Sequence, residues 1–166
     1  MLKYALIGTV LVVVTVLIHG IGTLSWLSLI VRRYADQDRM IRLGKGLHVL
    51  VGTLLVLLIL HALEIVVWAY AYLLLLPSGE LDSFEEAIYF SFVTFTTLGY
   101  GDITLTQGWR LLSGIEALNG IILAGWTTAL LFAFVQRTWQ SIAQRNPGKI
   151  RPGTSGADDL SRERGK

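Results

Sequence analysis

Between Tyr4 and Val31 the chain, "YALIGTVLVVVTVLIHGIGTLSWLSLIV", has no formally charged residue. An apolar run of that length exceeds the ~20 residues a helix needs to cross a bilayer. Two more runs follow. Residues 47–76 begin "LHVLVGTLLVLLILHALEIVV" and end before Pro77, which with Ser78 and Gly79 breaks the helix. Residues 108–135, "GWRLLSGIEALNGIILAGWTTALLFAFV", stop short of Arg137 and contain Gly114, Gly120 and Gly125. Backbone in lipid must satisfy its own hydrogen bonds, so the chain reads as an all-α membrane protein with three transmembrane helices. A cleaved signal peptide competes for the first run, since Lys3 precedes it. That run is about twice a usual signal core and lacks an A-x-A site, so we read it as a spanning helix.

Composition agrees: 53% hydrophobic and 16% charged residues are too apolar a mixture for an ordinary soluble domain. The absence of cysteine excludes disulfides, thiolate metal sites and cysteine nucleophiles. A net charge of +2, with the basic residues in short segments beside the apolar runs, argues against nucleic acid as a partner and for lipid headgroups. Arg32, Arg33, Arg39, Arg42 and Lys45 precede the second run, and Arg137, Arg145, Lys149, Arg151, Arg162, Arg164 and Lys166 follow the third. Segment 77–107 has no Lys or Arg and holds Glu80, Asp82, Glu85, Glu86 and Asp102; Arg110 is the exception just beyond it. The positive-inside rule then predicts a multi-pass protein of the cell (inner or plasma) membrane, N-terminus outside and C-terminus cytoplasmic. Residues 1–46 form an N-terminal helix with a basic loop, 47–137 a central domain, and 138–166 a Pro-, Gly- and charge-rich tail expected to be disordered beyond 147. Trp26 and Trp139 at one end, and Tyr70, Tyr72 and Trp109 at the other, suit aromatic belts.

Between the second and third runs lies "DSFEEAIYFSFVTFTT", residues 82–97. Ser83 and Glu86 make an S-x-x-E capping box, and Glu85 and Glu86 suit the positive end of a helix dipole. A helix over 83–97 reaches only about 20 Å, enough to enter the membrane but not to cross it. It leads into "TTLGYGD", residues 96–102. Irregular backbone at that depth survives only where it is buried in protein or lines water, so a re-entrant loop is expected. Gly99 and Gly101 tolerate the positive φ that lets successive carbonyls point the same way. Such a row of oxygens replaces the hydration shell of a cation. The same glycines do not continue into a dinucleotide loop.

A capped aromatic helix followed by "TTLGYGD" between two spanning helices resembles the pore of the potassium channel family, over roughly residues 47–137. The resemblance implies that Thr97, Leu98, Gly99, Tyr100 and Gly101 form the selectivity filter, with K+ held at Thr97, Leu98, Gly99 and Tyr100, and that Asp102 stands at its outer mouth. It implies Gly120 as the hinge of the inner helix and a homotetramer, since the chain carries one filter sequence and a filter needs four. Ile121, Ala124, Thr128 and Phe132, recurring at helical spacing, would line the cavity, with Phe132 a candidate hydrophobic gate. The implied activity is passive potassium conduction without cofactor or enzymatic chemistry; a weakly selective cation channel and a non-conducting regulatory subunit are the alternatives. Leu98 stands where valine is commoner, and Val93 where some relatives carry a glutamate that pairs with the filter aspartate, so Asp102 must find another partner or water. No helix repeats arginine at every third position, which excludes a voltage-sensing helix. Lipid, tension, pH, a partner and the filter itself stay open as gating stimuli.

Two carboxylates fall inside the apolar runs. Each costs ~2.5 kcal/mol or more at mid-bilayer unless it faces protein or water. Glu64 lies roughly 18 Å and Glu116 roughly 12 Å below the outer helix ends, and Glu116 is about 140° around the helix from Ile121, away from the pore axis. A buried cluster of His61, Glu64, Glu116 and Asn119 joining the second and third helices is one expectation; separate local partners for each group is the other. A metal site at His61-x-x-Glu64 lacks further ligands at metal spacing, and His19 and His48 read as packing or interfacial groups. The "HGIG" at 19–22 offers small residues for close packing of the first helix.

Overall fold

The computed structural model of the protein describes residues 1–34, 43–106 and 108–145. Four helices follow in order: α1 (Leu2–Tyr34), α2 (Leu43–Leu75), α3 (Phe84–Phe95) and α4 (Arg110–Arg145), with no strand among the described residues. Leu2–Arg33, Gly46–Leu75 and Arg110–Arg137 are each long and apolar enough to cross a membrane. The middle of the basic loop and the tail from 146 lie outside the described residues, and with them the expectation of a disordered terminus.

Helix ends differ from the sequence expectation in an instructive way. α2 starts at Leu43 rather than 47, and α4 runs to Arg145 rather than stopping at 135. Charge marks where lipid ends; a helix ends where its hydrogen bonding is interrupted, and between Trp126 and Pro147 there is neither glycine nor proline. α3 is shorter than expected because Thr96 caps it and Thr97 turns into the left-handed region. At its start the Ser83 hydroxyl accepts from Glu86 N at 3.1 Å, while the Glu86 carboxylate accepts from Asp82 N, one residue before the cap, at 2.9 Å.

α1 fills the groove between α2 and α4. It runs parallel to α4: Tyr4 meets the edge of Trp109 at 4.8 Å, Gly8 faces Ile115, Asn119 donates to Thr15 at 2.8 Å, and His19 packs on Trp126. Against α2 it runs antiparallel: His19 lies on Glu64, Gly22 on Leu60, and the Trp26 indole donates to Thr53 at 3.0 Å. A Cβ on Gly22 would come within 2.5 Å of Leu60, so the small residue permits the approach. Trp26, expected in an interfacial belt, turns its polar edge inward instead. α3 wedges between α2 and α4 on the other side, where Ile65, Trp68, Tyr72, Ala87, Phe90, Leu112 and Leu123 form the core. The N-terminal end of α1 therefore shares an end of the bundle with the loop that follows the re-entrant segment.

Candidate functional site

The re-entrant segment is built so that the donors at its start are used and its acceptors are free. Thr97 N donates to Thr94 O at 2.9 Å, and Leu98 N and Gly99 N both donate to Val93 O, at 3.0 and 3.2 Å. These bonds tie the start of the loop to the last turn of α3. Among the described residues, no backbone hydrogen bond ends on a carbonyl of residues 97–101. Thr97, Gly99 and Gly101 have φ of 61°, 56° and 79°. The left-handed region at every second residue turns alternate peptide planes over, which brings successive carbonyls to one side of the strand. Glycine makes that conformation easy at 99 and 101; Thr97 adopts it against its Cβ, a strain its ties to α3 hold in place. Leu98 and Tyr100 are exposed in the single chain.

Asp102 finds its partner in α3: the Tyr89 hydroxyl donates to its carboxylate at 2.6 Å. That bond holds the Asp102 carboxyl below its ordinary value, partial desolvation opposes it, and the backbone N–H groups of Asp102 and Ile103 assist it. The same bond pushes the Tyr89 phenol up. Val93 is buried and contributes its carbonyl, rather than a carboxylate, to the support behind the loop. Beyond the loop, Glu80 accepts from Thr106 N at 3.1 Å and from the Thr106 hydroxyl, which ties the approach to α3 to the exit from the loop. Arg110, the exception to the charge asymmetry, donates to Leu105 O at 2.8 Å.

The four groups expected in one cluster fall into three. Glu116 is fully buried and accepts from Tyr72 of α2 at 2.6 Å and from Ser91 of α3 at 2.5 Å. Ser91 Oγ is also 3.0 Å from Ile65 O, so one hydroxyl proton faces two acceptors, and a proton on Glu116 would complete the set. Asn119 bonds to Thr15 of α1. Glu64 accepts from His61 Nδ1 and from His19 Nδ1, each at 2.9 Å, and His61 Nε2 pairs with the Thr127 hydroxyl of α4 at 2.9 Å. The expected joint cluster of His61, Glu64, Glu116 and Asn119 is thus corrected: α1 and α3 each supply partners, and they pull the groups apart. His19, expected only to pack, is part of the Glu64 group. Tyr72 reads from sequence as a belt residue because an amphipathic ring suits an interface and a buried carboxyl equally. Ser91 and Tyr89 carry no sequence signal of their own; two residues apart, they lie on opposite sides of α3, Ser91 buried and Tyr89 exposed.

Along α4, Ile121, Ala124, Thr128 and Phe132 are all exposed in the single chain and lie on one side of the helix. Gly120 is buried against the end of α3: a Cβ there would fall 1.9 Å from the Phe95 carbonyl oxygen. α4 is continuous through it.

A short re-entrant helix, a carbonyl-presenting loop and two flanking apolar helices define a pore-loop membrane protein. Residues 58–137 match the model of a family described as "Ion channel", and over that segment the chain is similar to this family. No curated protein and no solved structure matches the chain.

Proposed function

We propose that the protein conducts potassium selectively, as a homotetramer in which four copies of residues 97–101 surround one axis. The observation that carries this reading is the alternation of left-handed residues at 97, 99 and 101, with the N–H groups of residues 97–99 tied back to Val93 and Thr94. It leaves a row of unengaged carbonyls along the loop, and dehydrated cations are what such a row coordinates. Thr97, Leu98, Gly99 and Tyr100 supply the ion sites, Gly101 continues the strand, and Asp102 sits at the mouth. The exposure of Leu98, Tyr100 and the Ile121–Ala124–Thr128–Phe132 face favours an assembly around them. An open hollow of about 640 Å³ beside the loop, lined by Thr94, Thr97, Gly99, Arg110 and Ser113 among others, is where a neighbouring copy would seat. Phe132 is the proposed gate and Gly120 the proposed hinge. The α1 N-terminus, at the loop's end of the bundle, faces outside, and the basic end of α1 faces the cytoplasm.

The test is the reversal potential of purified protein in a planar bilayer under opposed potassium and sodium gradients. It should settle near the potassium equilibrium potential, with block by barium. Equal permeability to the two ions, or no current, overturns the selective reading. Chemical crosslinking that saturates at a dimer overturns the tetramer.

A further inference from the structure

Conduction makes no use of the buried group at the junction of α1, α2 and α4. We propose that His19, His61 and Glu64 are the ligands of a divalent transition-metal ion of the zinc class, held inside the membrane-spanning bundle. One ligand atom from each of the three lies within 4.8 Å of the others. His61 and Glu64, three residues apart on α2, present to one face, and His19 arrives from the antiparallel α1. Two imidazoles and a carboxylate without thiolate suit zinc and its first-row neighbours, whereas calcium and magnesium take oxygen-only sets.

His19 Nδ1 is 2.9 Å from Oε1 of Glu64 and His61 Nδ1 is 2.9 Å from Oε2. Ligands at about 2.0–2.1 Å in a tetrahedron stand about 3.3 Å apart, so rotation of the carboxylate and the two rings has to bring one oxygen and both nitrogens to that spacing from within 4.8 Å. Ligation through Nδ1 places the His61 proton on Nε2, which already faces the Thr127 hydroxyl at 2.9 Å, an outer partner of the kind that fixes a ligand's tautomer and orientation.

Charge and hydrogen bonding point the same way. Glu64 is fully buried, and the groups that reach its carboxylate are the two imidazoles, with no Lys or Arg among its bonded partners. An intramembrane carboxylate is stabilised by a compensating positive charge, which a dication held by neutral imidazoles would supply. His19 is also fully buried. An entry path exists: His61 lines a cavity of about 410 Å³ together with Leu58, Phe95, Thr97, Gly120 and Ala124, beside the base of the carbonyl loop. The sequence hides this site because its third ligand stands 45 residues from Glu64.

The full-length protein, stripped with chelator and held in detergent, is titrated with Co2+ and separately loaded with Zn2+, desalted and analysed for metal. Wild type should show the visible absorption of tetrahedral Co2+, lost on adding Zn2+, and should retain one zinc per chain. His19→Asn and Glu64→Gln should each lower zinc retention at least tenfold, while His48→Asn retains it. Wild type without the cobalt bands and without stoichiometric zinc overturns the site, as does undiminished zinc in His19→Asn. Should the variants fail to fold, the wild-type cobalt spectrum and zinc content decide alone, and neither depends on ion conduction.

Discussion

Glu116 ties three helices through one carboxyl group, with Tyr72 on α2 and Ser91 on α3 meeting its two oxygens. Replacing it by leucine leaves the buried Tyr72 hydroxyl without its acceptor, at a cost of about 1–3 kcal/mol, while Ser91 keeps the Ile65 carbonyl. Glu116→Leu should therefore lower the thermal unfolding midpoint of the purified protein markedly, and Glu116→Gln, which keeps an acceptor, should lower it less; equal midpoints for leucine and wild type would refute the role. Asp102 gives a pH prediction. Its carboxyl lies below the ordinary value, so the Tyr89–Asp102 bond contributes fully above about pH 4 and is lost as pH falls through the lowered value. Tyr89→Phe removes the main cause of the lowering, so acid loss of current should move to higher pH. An unshifted acid limb would show that the bond does not support the mouth. The carboxyls themselves were legible in the sequence, because a charge within an apolar run is conspicuous; their partners were not, because helix rotation decides which hydroxyl a carboxyl meets.

The α3 helix has a cap whose worth is measurable. Ser83→Ala removes the acceptor for Glu86 N and should cost about 1 kcal/mol, read as a lower midpoint and restored by Ser83→Asp. Gly120 is constrained more tightly, since its missing side chain makes room for the Phe95 carbonyl. Gly120→Ala should destabilise by about 1–3 kcal/mol, whereas Gly125→Ala, with nothing of its own protomer within 4 Å, should be neutral or stabilising by up to about 1 kcal/mol. If the two alanines behave alike in thermal unfolding, the contact does not explain the glycine. The number and kind of helices could be read from run lengths, and the start of α3 from Ser83, because both signals are local. The ends of α2 and α4 could not be read from charge, which reports the edge of lipid and not the last hydrogen bond.

Taken whole, the protein is a re-entrant loop between two long apolar helices with an added helix that reaches into its polar interior. α1 supplies Thr15 to Asn119, His19 to Glu64 and Trp26 to Thr53. A chain lacking residues 1–42 leaves Asn119 without that acceptor and Glu64 without one of its two donors, so it should yield a smaller monodisperse fraction on size exclusion and a lower midpoint than the full chain. Full recovery of both would show that α1 only decorates the surface. The re-entrant architecture was visible in the sequence because capped helix, loop and flanking runs are contiguous. The place of α1 was not, since "HGIG" indicates close packing without naming the neighbour, and Leu60 is chosen only by the antiparallel register. The junction of Gly120 with the Phe95 carbonyl has, finally, a mechanical meaning. α4 bears there on the base of the carbonyl loop with no clearance, like a lever resting directly on its load: inward displacement of α4 at residue 120 meets the end of α3 without slack to absorb it.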